Sequence, residues 1–199
     1  MQGNGLHAEA RIERAALEAS AVVGYSQLSV ETIIERAGVS RSLFYRLYDN
    51  RADCFARAYA READSLVARL VAGCRSAADW KRGLDTALAE LAAFAVDSPL
   101  LANAVVAQAR LGEGSVMDKR AEVLATLTAA TDEARRHSDF SPPPIAAPFV
   151  VGAIEGALAS ALLSGKPEEF IEGLPALRYI ALATFFGPEQ AKADLDLDR

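Results

Sequence analysis

Four arginines, Arg36, Arg41, Arg46 and Arg51, are opposed by Asp49 alone, so residues 36–51 carry a local charge of +3 in a chain whose net charge is −6. Guanidinium groups suit phosphate oxygens and guanine edges, because their planar fork binds both bidentately. Residues 1–62 hold eight basic and eight acidic side chains, so the whole deficit lies in residues 63–199. The acidic total argues against a chain coated in nucleic acid, but it leaves room for one local site. Residues for other chemistries are sparse. His7 and His137 are the only histidines, and Cys54 and Cys74 stand alone without metal-ligand spacing. No metal, cofactor, disulfide framework or catalytic set is expected, and both thiols read as inert packing groups.

The elements that must position these arginines follow from the spacing. The chain has 199 residues, 51% hydrophobic and 24% charged, with 41 alanines, and its apolar residues recur at helical intervals. This composition excludes a disordered or collagen-like chain, and the fold class is all-α. A first helix is expected over 8–23, closed by Gly24. Ser29 caps a second over 30–37 that ends at Gly38, and Ser40 caps a third over 41–47. Asn50 then opens a long helix to residue 74. The stretch SVETIIERAGVSRSLFYRL is therefore a helix-turn-helix, with Ile33, Ala37, Val39 and Phe44 free to hold the two short helices together. The second short helix exposes Arg41, Ser42, Tyr45 and Arg46, which fits a major groove. Arg51 places a cation at a helix start, where an anion is preferred, and a DNA phosphate there would reverse that penalty.

Residues 12–55 resemble the DNA-binding domain of the tetracycline-repressor (TetR) family. The matching residues are Ile12, Ala15-Ala16-Leu17, Gly24, Ser29-Val30, Ile34, Ala37-Gly38-Val39-Ser40-Arg41, Phe44-Tyr45 and Asp49-Asn50-Arg51 with Asp53. Ser20, Leu43, Leu47 and Arg51 depart from the residues usual in that family. Leu43 lies on the expected reading helix, where it can touch a thymine methyl or pack inward. The resemblance implies a domain over 8–55 with its motif at about 28–47, and a helical ligand-binding and dimerisation body over 56–187. A flexible tail is expected over 188–199. The DNA-binding set is Ser29, Ser40, Arg41, Ser42, Leu43, Tyr45, Arg46 and Arg51. The function implied is a sequence-specific transcriptional regulator, a ligand-responsive repressor acting as a homodimer on a palindromic operator.

Helices in the body are expected from Asp79 to Ala95, from Pro99 to Leu111, from Ser115 to about His137, from Ile145 to Ser164, and then to Gly187, with Pro175 kinking or splitting the last. Trp80, Leu88, Leu91, Phe94, Gln108, Leu127, Phe149 and Glu155 are candidates to line a pocket for an unidentified small-molecule effector. Gly152, Gly156 and Ser160 put small residues on one helix face, and with Leu177 and Ala181 they form the expected dimer interface. The 145–164 helix is long and apolar enough to invite a membrane reading, but Pro148, Glu155 and its small residues favour a buried helix. No membrane partner is expected, and the absence of a leader pattern in the first residues points to the cytoplasm. The competing reading is an all-helical small-molecule-binding protein or enzyme without DNA function, which leaves the arginine patch unexplained.

Overall fold

The computed structural model describes residues 2–196, with side chains from 7 to 195, and among them there are helices and turns but no strand. In chain order the helices are α1 (Gln2–Val23), α2 (Val30–Ala37), α3 (Arg41–Leu47), α4 (Arg51–Ser76), α5 (Trp80–Asp97), α6 (Pro99–Ala102), α7 (Ser115–Asp132), α8 (Ala146–Leu163), α9 (Pro167–Phe186) and α10 (Pro188–Asp196). Two compact units result. The first is the chain to Ser65 together with Ser98–Arg120, and the second is Leu66–Asp97 together with the chain from Ala121 onward. This grouping by packing differs from the division in chain order at residues 55 and 56, because α6 and the turns after it pack against α1. Both segments bury many small residues, Ala8, Ala15, Ala16 and Ala19 on α1 and Ala102, Ala104, Ala107 and Ala109 after Pro99, beside larger ones such as Ile12, Leu17 and Val105. Small side chains let two helix backbones approach closely and bury area without large residues.

The expected helix from Pro99 to Leu111 is not continuous. After one α turn it widens into a π-helical turn at Asn103–Ala107 and then tightens into a 3-10 turn at Gln108–Leu111. The wider turn brings Asn103 Oδ1 to Gln108 Nε2 at 3.0 Å, a satisfied pair that accompanies the break in the regular ladder. The helix expected from Ser115 to His137 likewise ends as α at Asp132, with Glu133–His137 as a 3-10 turn.

In the second unit, α5, α8 and α9 share a core of Leu84, Leu88, Ala146, Ala147, Val150, Ala181 and Phe185. Trp80 packs on its edge against Phe185 and Phe186, at 5.4 and 5.8 Å between ring centroids. Ion pairs stitch its rim: Arg178 to Asp85, Arg69 to Glu90 and Lys81 to Asp194, each at 2.6 Å. The Lys81 contact and buried Ala191 explain why residues 188–196 form α10 instead of the expected flexible tail. Residues 197–199 of that tail lie outside the described residues. Pro175 sits inside α9 without splitting it. It lies on an exposed face, where water can satisfy the carbonyl that lacks its usual N–H partner. The proline segment Ser141–Pro144 is held down by Arg135, whose guanidinium donates to the carbonyls of Pro142 and Pro143.

Candidate nucleic-acid interface

The caps expected between α1 and α4 are all formed. Ser29 Oγ accepts from Thr32 N at 3.1 Å, Ser40 Oγ from Leu43 N at 3.2 Å, and Asn50 Oδ1 from Ala52 N and Asp53 N at 2.9 and 3.0 Å. Gly38 closes α2 in the left-handed region, at φ 61°, where a side chain would be strained. Arg11 adds a clamp: its guanidinium donates to Ala37 O at 2.8 Å and to Gly38 O at 3.0 Å, satisfying carbonyls at the C-terminus of α2. Phe44 is fully buried, so α3 turns that face inward and exposes Arg41, Ser42, Tyr45 and Arg46. Leu43 is half-buried between the two faces.

The arginine patch changes character in three dimensions. Arg36 pairs with Glu18 of α1 at 3.0 Å, and Arg41 pairs with Glu31 of α2 at 2.5 Å while its guanidinium lies 5.6 Å from the Tyr45 ring. Arg46 has no ion pair among the described residues. The local charge counted along the chain is thus partly cancelled across the fold, because Glu18 and Glu31 lie outside the 36–51 window. Arg51 stands at the start of α4, where its Nη1 donates to Tyr25 O at 2.8 Å and its guanidinium lies 5.5 Å from the Tyr25 ring. Ser29 spends its oxygen on Thr32, accepting from the amide and pairing with the hydroxyl at 2.8 Å.

Sequence reasoning missed several polar residues that support this surface. Tyr25 N donates to Gln108 Oε1 at 3.0 Å, so both peptide groups of Tyr25 are held by side chains. Arg57 donates to Asp53 and lies over the Tyr48 ring. Glu13 is buried at 4% exposure and accepts from the Tyr48 hydroxyl at 3.2 Å, beside Arg61 at 2.8 Å. Burial pushes the Glu13 carboxyl above the usual range, and Arg61 and Tyr48 offset part of that rise. The available signal was a glutamate three residues before Ala16 and four before Leu17, within the buried stripe of α1. Burial also pushes the Cys54 and Cys74 thiols up, which agrees with their reading as unreactive.

The expected pocket and interface residues do not all converge. Gln108 belongs to the first unit, where its Oε1 accepts from Tyr25 N and its Nε2 donates to Asn103 Oδ1. Phe149 is 57% exposed on α8. Leu88 is buried in the core of the second unit, and half-buried Trp80 packs against it. Phe94 is buried beneath Arg69, and Leu91, Leu127 and Glu155 are half-buried. Leu177 and Ala181 are buried by their own chain, at 7% and 0% exposure, with Leu177 at the floor of a groove between α8 and α9. Gly152 and Ser160 are exposed and Gly156 half-buried, on the face that also carries Phe149 and Leu163. An open groove of about 320 Å³ between α8 and α9 is lined by Ser160, Ala161, Glu169 and Phe170. Ala146–Leu163 has the length and mean hydropathy, 1.7, of a membrane span, but Val150, Leu158 and Leu162 are buried within the chain, as in a core helix. Among the described residues, no group of three or more His, Cys, Asp and Glu could hold a metal ion.

Residues 12–58 match the family model of bacterial regulatory proteins of the tetR family. The fold of nearly the whole chain is shared with solved structures of low sequence identity. The fatty acid degradation regulator FadR from Bacillus halodurans superposes with a TM-score of 0.74 at 18% identity, covering 86% of this chain and 96% of that one. A TetR family transcription regulator from Marinobacter aquaeolei gives 0.72 at 17% identity, over 92% and 98% of the two chains. FadR from Bacillus subtilis, solved in complex with stearoyl-CoA, gives 0.68 at 17% identity, over 89% and 97%. No curated protein matches the chain in sequence.

Proposed function

We propose that this chain, whose residues 12–58 match the model of bacterial regulatory proteins of the tetR family, represses transcription as a homodimer on a palindromic operator, released by a small-molecule effector. The observation that carries the reading is the capped α3 helix, held by buried Phe44 and exposing Arg41, Ser42, Tyr45 and Arg46. In the major groove Arg41 and Arg46 read guanine edges, while Ser42 and the Tyr45 hydroxyl meet bases or phosphates. Ser40 presents the helix N-terminus to the backbone, and Leu43 is placed to touch a thymine methyl. Arg51 adds a phosphate contact through the guanidinium N–H groups that Tyr25 does not take.

Two such helices must lie about 34 Å apart to read a palindrome, which requires a two-fold partner. The exposed face of α8, with Phe149, Gly152, Ser160 and Leu163, and the exposed Ile171 and Ile180 of α9 supply an apolar surface for it. The effector acts by binding one state of the second unit better than another, and α4, which begins in the first unit and ends in the second, carries the change. Leu91, Phe94, Leu127 and Glu155 remain the candidate contacts. The site of action is the cytoplasm, with no enzymatic step. The stearoyl-CoA complex of the Bacillus subtilis regulator makes a long-chain acyl thioester the first effector to try.

Selection of bound sequences from a random duplex pool tests this reading. The expected product is a palindrome with half-sites one helical turn apart, bound by a species of twice the chain mass in sedimentation. A lack of enriched sequence, or a monomer at micromolar concentration, would overturn it.

A further inference from the structure

The carboxylate of Glu13 joins three elements of the first unit. Its Oε1 accepts from the hydroxyl of Tyr48, which ends α3, at 3.2 Å, and its Oε2 faces Arg61 Nη1 of α4 at 2.8 Å. Arg61 also reaches Glu9, one turn earlier on α1, at 3.7 Å. Tyr48 is 2% exposed; its ring tilts against Phe44 at 5.5 Å and lies under the Arg57 guanidinium at 5.4 Å.

A helix of seven residues such as α3 is not stable by itself, so its direction is set by what holds its ends and its one buried face. Phe44 supplies burial, but aromatic and apolar contacts tolerate rotation and sliding. A hydroxyl-to-carboxylate bond is directional and fixes the C-terminal end of α3 against α1. Stability alone gives no reason for it. A buried carboxylate keeps a desolvation cost even when paired, and two apolar side chains of similar size would hold the same elements at no such cost. What the polar pair adds is a unique seat.

We propose that Glu13 is a positioning residue for operator recognition, fixing through Tyr48 the orientation in which α3 presents Arg41 and Arg46. The inference rests on the DNA-reading role of α3 given above.

The test uses the full chain, the duplex enriched by wild type from a random pool, and a random duplex of equal length. Tyr48→Phe, and the double variant Glu13→Leu/Tyr48→Phe, are expected to lose about tenfold in affinity for the enriched duplex. Affinity for the random duplex and its salt slope should stay as in wild type, because phosphate contacts are untouched. The double variant removes the buried charge, so its thermal midpoint should equal or exceed that of wild type. Glu13→Gln, which keeps an acceptor for Tyr48, should retain affinity for the enriched duplex within about twofold. A double variant that is stable and binds the enriched duplex like wild type overturns the proposal, as does equal loss on both duplexes.

A DNA-free arm separates this from failure of the regulator reading. Amide exchange in α3 should accelerate by about tenfold in Tyr48→Phe while α2 amides stay unchanged. If wild type enriches no sequence, the regulator reading fails, and the operator role of Glu13 falls with it. Unchanged exchange in α3 refutes the seating of α3 whatever the DNA result.

Discussion

In the first unit, short helices are fixed by directional bonds between named polar groups. Arg11 closes α2, Ser29 and Ser40 cap α2 and α3, Gln108 and Arg51 hold the peptide groups of Tyr25, and Glu13 holds Tyr48. In the second unit, helices of 18 to 20 residues meet through an apolar cluster, and the ion pairs sit at its rim. A hydrogen bond specifies orientation, whereas an apolar core of the right volume accepts rearrangement before it loses stability. The contrast suits the proposed function, in which one part presents side chains to base edges at fixed positions and the other changes shape around an effector.

The sharpest way to break this contrast is to attack the apolar core. Phe185→Ala removes a fully buried ring and should cost about 3 to 5 kcal/mol in urea unfolding, more than the loss of any one polar link. A loss under about 1 kcal/mol would show a core already loose. Next in size, Arg41→Ala should weaken operator binding by about 1 to 3 kcal/mol with a smaller effect on random DNA. Equal weakening on both would make Arg41 a backbone contact. Ser40→Ala should cost about 1 kcal/mol of stability through loss of the α3 cap, read as a shift in the denaturant midpoint. Arg51→Ala should flatten the salt dependence of binding by about one unit, and an unchanged slope would leave Arg51 only its bond to Tyr25.

The smallest effect concerns two carboxylates on α1 that shift in opposite directions. Burial raises the Glu13 carboxyl despite Arg61 and Tyr48, so its contribution to stability is present in acid and is lost as pH rises through its raised value. Burial also pushes the Glu18 carboxyl up, but the bonds from Arg36 and Arg14 outweigh it and bring the carboxyl below the usual range. Its contribution is present at neutral pH and is lost on acidification. Glu18→Gln should therefore lower the denaturant midpoint near neutral pH and not in acid, whereas Glu13→Gln should not lower it near neutral pH. Matching pH profiles for the two variants would contradict the opposite shifts.

The caps, the glycine turn and the exposed face of α3 were legible because each depends on residues within a few positions of one another. Ser40, Gly38 and the spacing of Phe44 from Arg41 and Tyr45 suffice to write that helix and its two faces. The cancellation of Arg36 and Arg41 was not legible, since Glu18 and Glu31 reach them only across the packed helices. Gln108 was noticed as a polar residue in an apolar run, but its partner, the amide of Tyr25, lies 83 positions away. Leu177 and Ala181 repeat at the same spacing as exposed neighbours on α9, and periodicity cannot say which face of an apolar helix its own chain covers.

By itself the sequence determined an all-α chain, the helix ends from α2 to the start of α4, a helix-turn-helix and the arginines it displays, because helix propensity, capping and periodicity are local. Only the tertiary structure decided that Ser98–Arg120 packs against α1, that a buried glutamate holds the end of α3, and which apolar faces the chain leaves exposed. Those outcomes depend on burial and on bonds between distant residues, whose energies exist only once the helices are packed.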